Sequence, residues 1–234
     1  MNICCIVIGI VFLMFVLIGW AQGMLRLIVS VAGLIASIAI SLYGAPYVSG
    51  YLQEHTQIDD KMAASISAEL AYSDGGQEVT RGIQIAAINA LPLPETVKSA
   101  ILNNNNSEMY QLLEVSGVYD YIAMSIAVVI LNGIVFLVML ILCRFIFMIL
   151  GHRCKNLAKL PIVRSLDKIG GGLLGGVRGV LWICIFFLFL SITSTFPWSS
   201  ELIHQINEVR ILKLLYDNNI LVEIVSDLTK ILFF

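Results

Sequence analysis

Between Arg144 and Arg178 the chain reads RFIFMILGHRCKNLAKLPIVRSLDKIGGGLLGGVR. Half of the protein's fourteen lysines and arginines fall in this stretch, against one acid, Asp167. Long apolar runs flank it on both sides. Because cations gather at the cytoplasmic ends of transmembrane helices, the stretch predicts a membrane protein together with its orientation.

Composition points the same way. Of 234 residues, 59% are hydrophobic and 13% charged, where soluble domains run at about 25% charged. A transmembrane helix takes roughly 20 mainly apolar residues, and four windows qualify: Ile3 to Trp20, Leu27 to Gly44, Tyr121 to Leu150 and Leu173 to Phe196. The expected fold is all-α: four transmembrane helices in two tandem hairpins, with a helical extracytoplasmic loop and an amphipathic C-terminal tail. The hairpins should occupy 1–44 and 121–196, the second holding a basic cytoplasmic loop at 151–172. The helical cap should fill 45–120 and the tail 197–234. The first apolar run ends Gly19-Trp20-Ala21, small residues as at a signal-peptide cleavage site. No cation precedes it and Arg26 follows it, so it reads as a retained span.

With the basic loop inside, both termini lie outside. Residues 45–120 carry ten acids against Lys61, Arg81 and Lys98, and residues 197–234 carry five against Arg210, Lys213 and Lys230. Arg26, alone in the first inter-helix turn, falls inside. The outer loop divides into helical pieces at Lys61 to Tyr72, Gln77 to Ala90, Pro94 to the Asn103–Asn106 run, and Ser107 to Val115. Asn105-Asn106-Ser107 matches a glycosylation acceptor but reads as a solvated turn. The tail forms two amphipathic stretches broken at Asp217-Asn218-Asn219. In the second, Leu221, Ile224, Val225, Leu228 and Leu232 share a face expected on the outer membrane surface or against the cap. Cys4, Cys5, Cys143, Cys154 and Cys184 sit in spans or the basic loop, which gives no disulfide framework.

Two elements share one spacing: Gly19-Trp-Ala-Gln-Gly23-Met-Leu-Arg26 opens the second span, and Gly171-Gly-Leu-Leu-Gly175-Gly-Val-Arg178 opens the fourth. Both helices run outward, so the elements suggest a tandem, same-direction repeat. Gly171, Gly175 and Gly179 form a bare stripe that lets another backbone approach. Gly33, Ser37 and Ser41 form a comparable stripe on the second span. The second and fourth helices are therefore the expected packing pair, with the bulky first and third facing lipid. The same stripe also suits a homo-oligomer seam.

On the glycine-arginine elbow, the Leu166-Asp167-Lys168 step and Gly175, Arg178 and Gly179 in an apolar helix, the chain resembles the colicin V production protein (CvpA) family. Gln22 and Leu27 stand beside Arg26 where that family often carries charge, and the outer loop is longer than in compact members. The resemblance implies a multi-pass protein of the bacterial inner membrane, implicated in toxin (colicin V) production and export and in envelope homeostasis, without an established catalytic residue. It carries over Gly19, Gly23, Arg26, Leu166, Asp167, Lys168, Gly171, Gly175, Arg178 and Gly179 as family motif and packing residues.

Chemistry-bearing residues are sparse. Arg144 reads as a snorkelling cation, and Asn132, beside Gly133 in mid-span, as a possible intramembrane polar site that more often serves an inter-helix hydrogen bond. Asp167 lies among Arg164, Lys168 and Arg178, with no reacting group in view for a general base. His152 and Cys154 have no third ligand nearby, and His55 and His204 fall across the membrane. No catalytic, cofactor or metal site is expected, and no basic face with interleaved aromatics suggests nucleic acid. The first reading is a non-enzymatic scaffold whose partners are the bilayer and membrane or envelope proteins. The alternative is a small oligomeric channel or solute transporter, which needs a wet stripe through Asn132, Ser125 or the serines of the second span. A hydrolase would need Asp167 or a histidine to be indispensable.

Overall fold

The computed structural model describes residues 3–74, 85, 88, 89, 91, 93–115, 117–153 and 164–231. The regular elements among them are all helical. Four are long and apolar enough to cross a membrane: α1 (Ile3–Gln22), α2 (Met24–His55), α6 (Val118–Arg153) and α7 (Arg164–Ile192). At 32 and 36 residues, α2 and α6 measure about 48 and 54 Å at 1.5 Å per residue. A hydrocarbon core is about 30 Å thick, so both protrude. The expected boundary at residue 44 thus falls inside α2, which continues through Pro46 to His55. Such a proline is tolerated where the surroundings re-satisfy the backbone. Tyr43, Tyr47 and Tyr51 lie exposed along one stripe of this segment, as tyrosines do at a membrane interface.

The protruding ends carry the cap. Helix α3 (Ile58–Asp74) packs along α6. Pro94 opens α4 (Glu95–Asn103), which ends in the asparagine run. Asn106 then caps α5 (Ser107–Leu112), its side chain accepting from the Met109 N–H at 2.9 Å. The glycosylation-like triplet is therefore a turn and cap. The expected piece at Gln77 to Ala90 lies mostly outside the described residues, as does Cys154. The Tyr121 hydroxyl donates to the Ile101 carbonyl at 2.9 Å and ties α6 to α4.

The first amphipathic stretch of the tail is itself divided, into α8 (Pro197–Asn207) and α9 (Arg210–Asp217), before α10 (Ile220–Ile231). Pro197 takes the first helical position, where its missing N–H costs nothing. The tail does not lie flat on a surface. Buried Asn219 donates from its side-chain amide to the Cys184 carbonyl at 2.8 Å, eight residues and so about 12 Å below the end of α7. Tyr216 meets the Phe187 ring edge-on and accepts from Ser191 at 3.3 Å. Leu221, Val222 and Val225 bury α10 against α4, α6 and α7.

Helix pairing departs from expectation. Among the four spans the dominant seams join α1 to α7 and α2 to α6, while α2 with α7 comes third. Helices adjacent in sequence, α1 with α2 and α6 with α7, touch only lightly. Each hairpin is splayed, and its legs pair with legs of the other. The third span is not a lipid-facing leg: 56% of its most apolar window is buried, against 11% for the first span. The reason lies in position. Helix α6 carries α2 on one side and α3, α4 and α10 around its N-terminal half, so its large apolar residues are the core itself. A second, smaller cluster joins Cys4 and Ile8 of α1 to Phe187 and Leu190 of α7 and to Ile203, Leu212 and Tyr216 of the tail. Helix α7 is the wall between the two clusters.

Candidate functional site

Two polar features stand near one end of the bundle, the elbow between α1 and α2 and a pair of arginines inside the spans. The elbow is one residue wide. Gly23 adopts φ +82°, in the region that favours glycine, and its N–H returns to the Gly19 carbonyl at 3.1 Å. Having no side chain, Gly23 cannot cap α2. The carboxylate of Asp167, from the first turn of α7, does so instead and accepts from the Met24 N–H at 2.8 Å. A negative group at a helix N-terminus also complements the helix dipole. A Cβ on Gly23 would collide with that carboxylate.

The glycines fix the distance at which this happens. A Cβ on Gly19 would strike the Gly171 carbonyl, one on Gly171 the Gly19 carbonyl, and one on Gly175 the Phe15 carbonyl. Backbone therefore meets backbone along the α1–α7 seam, and these atoms cannot swing aside. Gly179 continues the seam under Phe12 and Phe15, where a Cβ would lie 3.2 Å from either side chain. The stripe on α2 has a different neighbour: a Cβ on Gly33 would lie 3.5 and 3.7 Å from Arg144 and Phe147 of α6. The expected pairing of the two small-residue stripes is thus corrected, since a stripe makes room without naming its occupant, and long side chains of α6 fill the room on α2.

Arg178 lies with its guanidinium 5.5 Å from the centre of the Phe15 ring, a cation–π arrangement. Its Nε is buried with no hydrogen-bond partner. Arg144 donates to the Ser30 hydroxyl at 3.4 Å, and the two arginines are close enough to repel one another. Among the described residues the ion pairs are Lys98 with Glu95 and His204 with Glu208, so neither arginine meets an acid there. Arg26 and Lys168 are exposed, and Leu166 lies in the first turn of α7. Asn132 is buried to 1% exposure, and Ser37 and Ser41 to 0%. The two serine hydroxyls donate along their own helix to the carbonyls of Gly33 and Ser37 at 2.7 Å.

The structure therefore gathers Gly19, Gly23, Asp167, Gly171, Gly175 and Gly179 into one seam, with Arg178 on its flank. Asp167 meets the elbow backbone rather than a neighbouring cation, a contact 143 residues apart in sequence. Sequence reasoning missed Phe15 and Ser30, the groups that hold the two arginines, because nothing in their local pattern distinguishes them from other span residues. No three His, Cys, Asp or Glu side chains come together as a metal site among the described residues.

Neither a curated protein nor a solved structure matches the chain. The family model described as colicin V production protein matches residues 100–218, just over half of the chain, from the end of α4 through both later spans to the close of α9. That stretch contains the Leu166-Asp167-Lys168 step and the glycine-rich fourth span, and by it this multi-pass helical protein belongs to the colicin V production protein family.

Proposed function

We propose that this protein is a non-enzymatic accessory or scaffold of the bacterial inner membrane that serves toxin (colicin V) production and export and envelope homeostasis. In this reading the basic stretch is cytoplasmic, and the cap, the tail and both termini are extracytoplasmic, and the distribution of cations supports it. Partners are the bilayer along the lipid-facing spans and membrane or envelope proteins at the cap. Self-association through the glycine-rich helix would compete with α1 for a single stripe.

The observation that carries the reading is the sealing of mid-span polarity. Asn132, Ser37 and Ser41 are withdrawn from the surface, and the serines spend their hydroxyls on their own helix. A packed anchor needs that arrangement, whereas a solute path needs the same groups wet. Asp167 is likewise engaged in capping, a structural use of the carboxylate rather than proton transfer. Single cysteines at Ser107, Ser165, Ser37 and Asn132 on a cysteine-free background test this in intact cells. Membrane-impermeant reagents should label position 107 and spare 165, 37 and 132. Labelling of 37 and 132 by a water-soluble thiol reagent would favour the channel or transporter instead.

A further inference from the structure

Between α6 and α7, where these neighbours in sequence diverge, runs a groove of about 470 Å³. Leu34 of α2 and Leu140 form its floor, both nearly fully buried, while Ile141, Phe145, Phe186 and Phe189 form exposed walls. From Met148 to Leu137 the α6 wall covers twelve residues, a rise of about 16 Å. That is close to the depth of one leaflet of a hydrocarbon core about 30 Å thick. One turn short of the elbow end, which is at Met148, Arg144 interrupts the apolar lining with a charge.

We propose that this groove seats one anionic phospholipid, its phosphate on the Arg144 and Arg178 guanidinium groups and an acyl chain along the apolar walls. Three observations converge on it. The first is unspent donor capacity. Arg144 donates to Ser30, Arg178 has a buried Nε without a partner, and the Trp182 indole Nε1, in the groove wall, is also buried without one. A guanidinium carries five donors, and a phosphate takes them in pairs. The second is charge. Two mutually repelling cations, neither meeting an acid among the described residues, lose that repulsion when an anion lies between them. Trp182 lies one helical turn beyond Arg178 on the same face of α7, so Arg178 stands one turn from the groove wall on the elbow side, its guanidinium against Phe15. The third is depth. Ser30 is six residues, about 9 Å, into α2 from Met24, and Phe15 is about 10 Å from the inner end of α1. Arginine side chains from that depth reach the phosphate layer by snorkelling. Basic pockets between transmembrane helices select lipid headgroups in this way. The site is separate from the Asp167 elbow and stands whether or not the scaffold reading holds.

The test is native mass spectrometry of the full-length protein after exchange into nanodiscs of phosphatidylcholine containing phosphatidylglycerol, counting lipids retained per chain. One phosphatidylglycerol should be retained over phosphatidylcholine. Removing one cation from a lipid phosphate is worth about fivefold in affinity, so Arg144→Gln should cut retention by about that factor and Arg144→Lys by less. Arg210→Gln, an exposed tail cation, should change nothing. Leu137→Trp, which fills the far end of the groove without touching either arginine, should displace both lipids. Inorganic phosphate should not compete the lipid away. Equal retention of the two lipids, full retention by a folded Arg144→Gln protein, or release by inorganic phosphate would overturn the proposal. Where Arg144→Gln fails to fold, Leu137→Trp decides, and unchanged retention in that variant also overturns it.

Discussion

The two principal seams of the bundle, α1 with α7 and α2 with α6, use small residues for opposite purposes. Along α1–α7, glycine faces glycine and backbone approaches backbone, so the distance between helices is set by main-chain atoms. Along α2–α6, the small residues sit opposite large ones: Gly33 faces Arg144 and Phe147, and Gly44 faces the end of Met139. One seam is a fixed-distance clamp and the other a socket for flexible side chains. In a bilayer no hydrophobic driving force pushes helices together, and close packing has to do that work. The clamp therefore matters more per residue, although its first span is the least buried of the four.

That contrast can be broken most severely at Gly175. Gly175→Leu places carbon on the Phe15 carbonyl, which cannot rotate away, and should cost about 3 kcal/mol or more, seen as loss of folded protein in thermal unfolding in micelles. Gly33→Ala probes the other seam. Its Cβ would lie 3.5 Å from the Arg144 Nη1, ordinary contact, and replacing glycine within a helix gains up to about 1 kcal/mol, so the same assay should show no loss. Equal damage from both would remove the distinction.

Asp167 comes next in size. Asp167→Ala leaves the Met24 N–H without its acceptor and should cost about 1–2 kcal/mol. Asp167→Asn keeps an acceptor, loses the charge at the helix N-terminus and should cost under about 1 kcal/mol. A larger loss from Asn than from Ala would point to a role for the charge beyond capping.

The smallest effect lies at the far end, where Asp217 of α9 faces Lys213 on its own helix and Glu95 and Lys98 of α4. Burial raises its pKa, Glu95 adds to the rise, and Lys213 and Lys98 oppose it. Because the folded value is raised, the folded tail binds the proton more tightly than the unfolded tail. Docking should therefore strengthen as pH falls through that raised value and weaken again toward neutrality. Amide protection over residues 210–225, taken relative to the intrinsic exchange rate at each pH, should rise modestly from neutral to mildly acid pH, and Asp217→Asn should abolish that rise.

The four spans were legible because composition and length alone decide what crosses a membrane, and the cap helices from Pro94 onward because Pro94 and Asn106 mark their starts locally. The helix pairs were not legible. Gly171, Gly175 and Gly179 announce that some backbone comes close, but nothing in their spacing says whether it belongs to the first span, the second or another copy. The tail shows the same limit: its break at Asp217-Asn218-Asn219 is local and readable, whereas the reach of Asn219 to the Cys184 carbonyl depends on where α7 stands. Of the elbow, the motif residues were visible and the use of Asp167 was not, because the donor it satisfies is the backbone of a distant residue.

The most direct measurement of the swapped pairing is cross-linking between Val16→Cys and Gly176→Cys on a cysteine-free background in native membranes. The Val16 side chain lies 3.7 Å from a Cβ built on Gly176, so oxidation should close an intramolecular disulfide between the first and fourth spans. A folded protein that fails to form it, or that links Gly176→Cys to Gly33→Cys on the second span, would contradict this architecture.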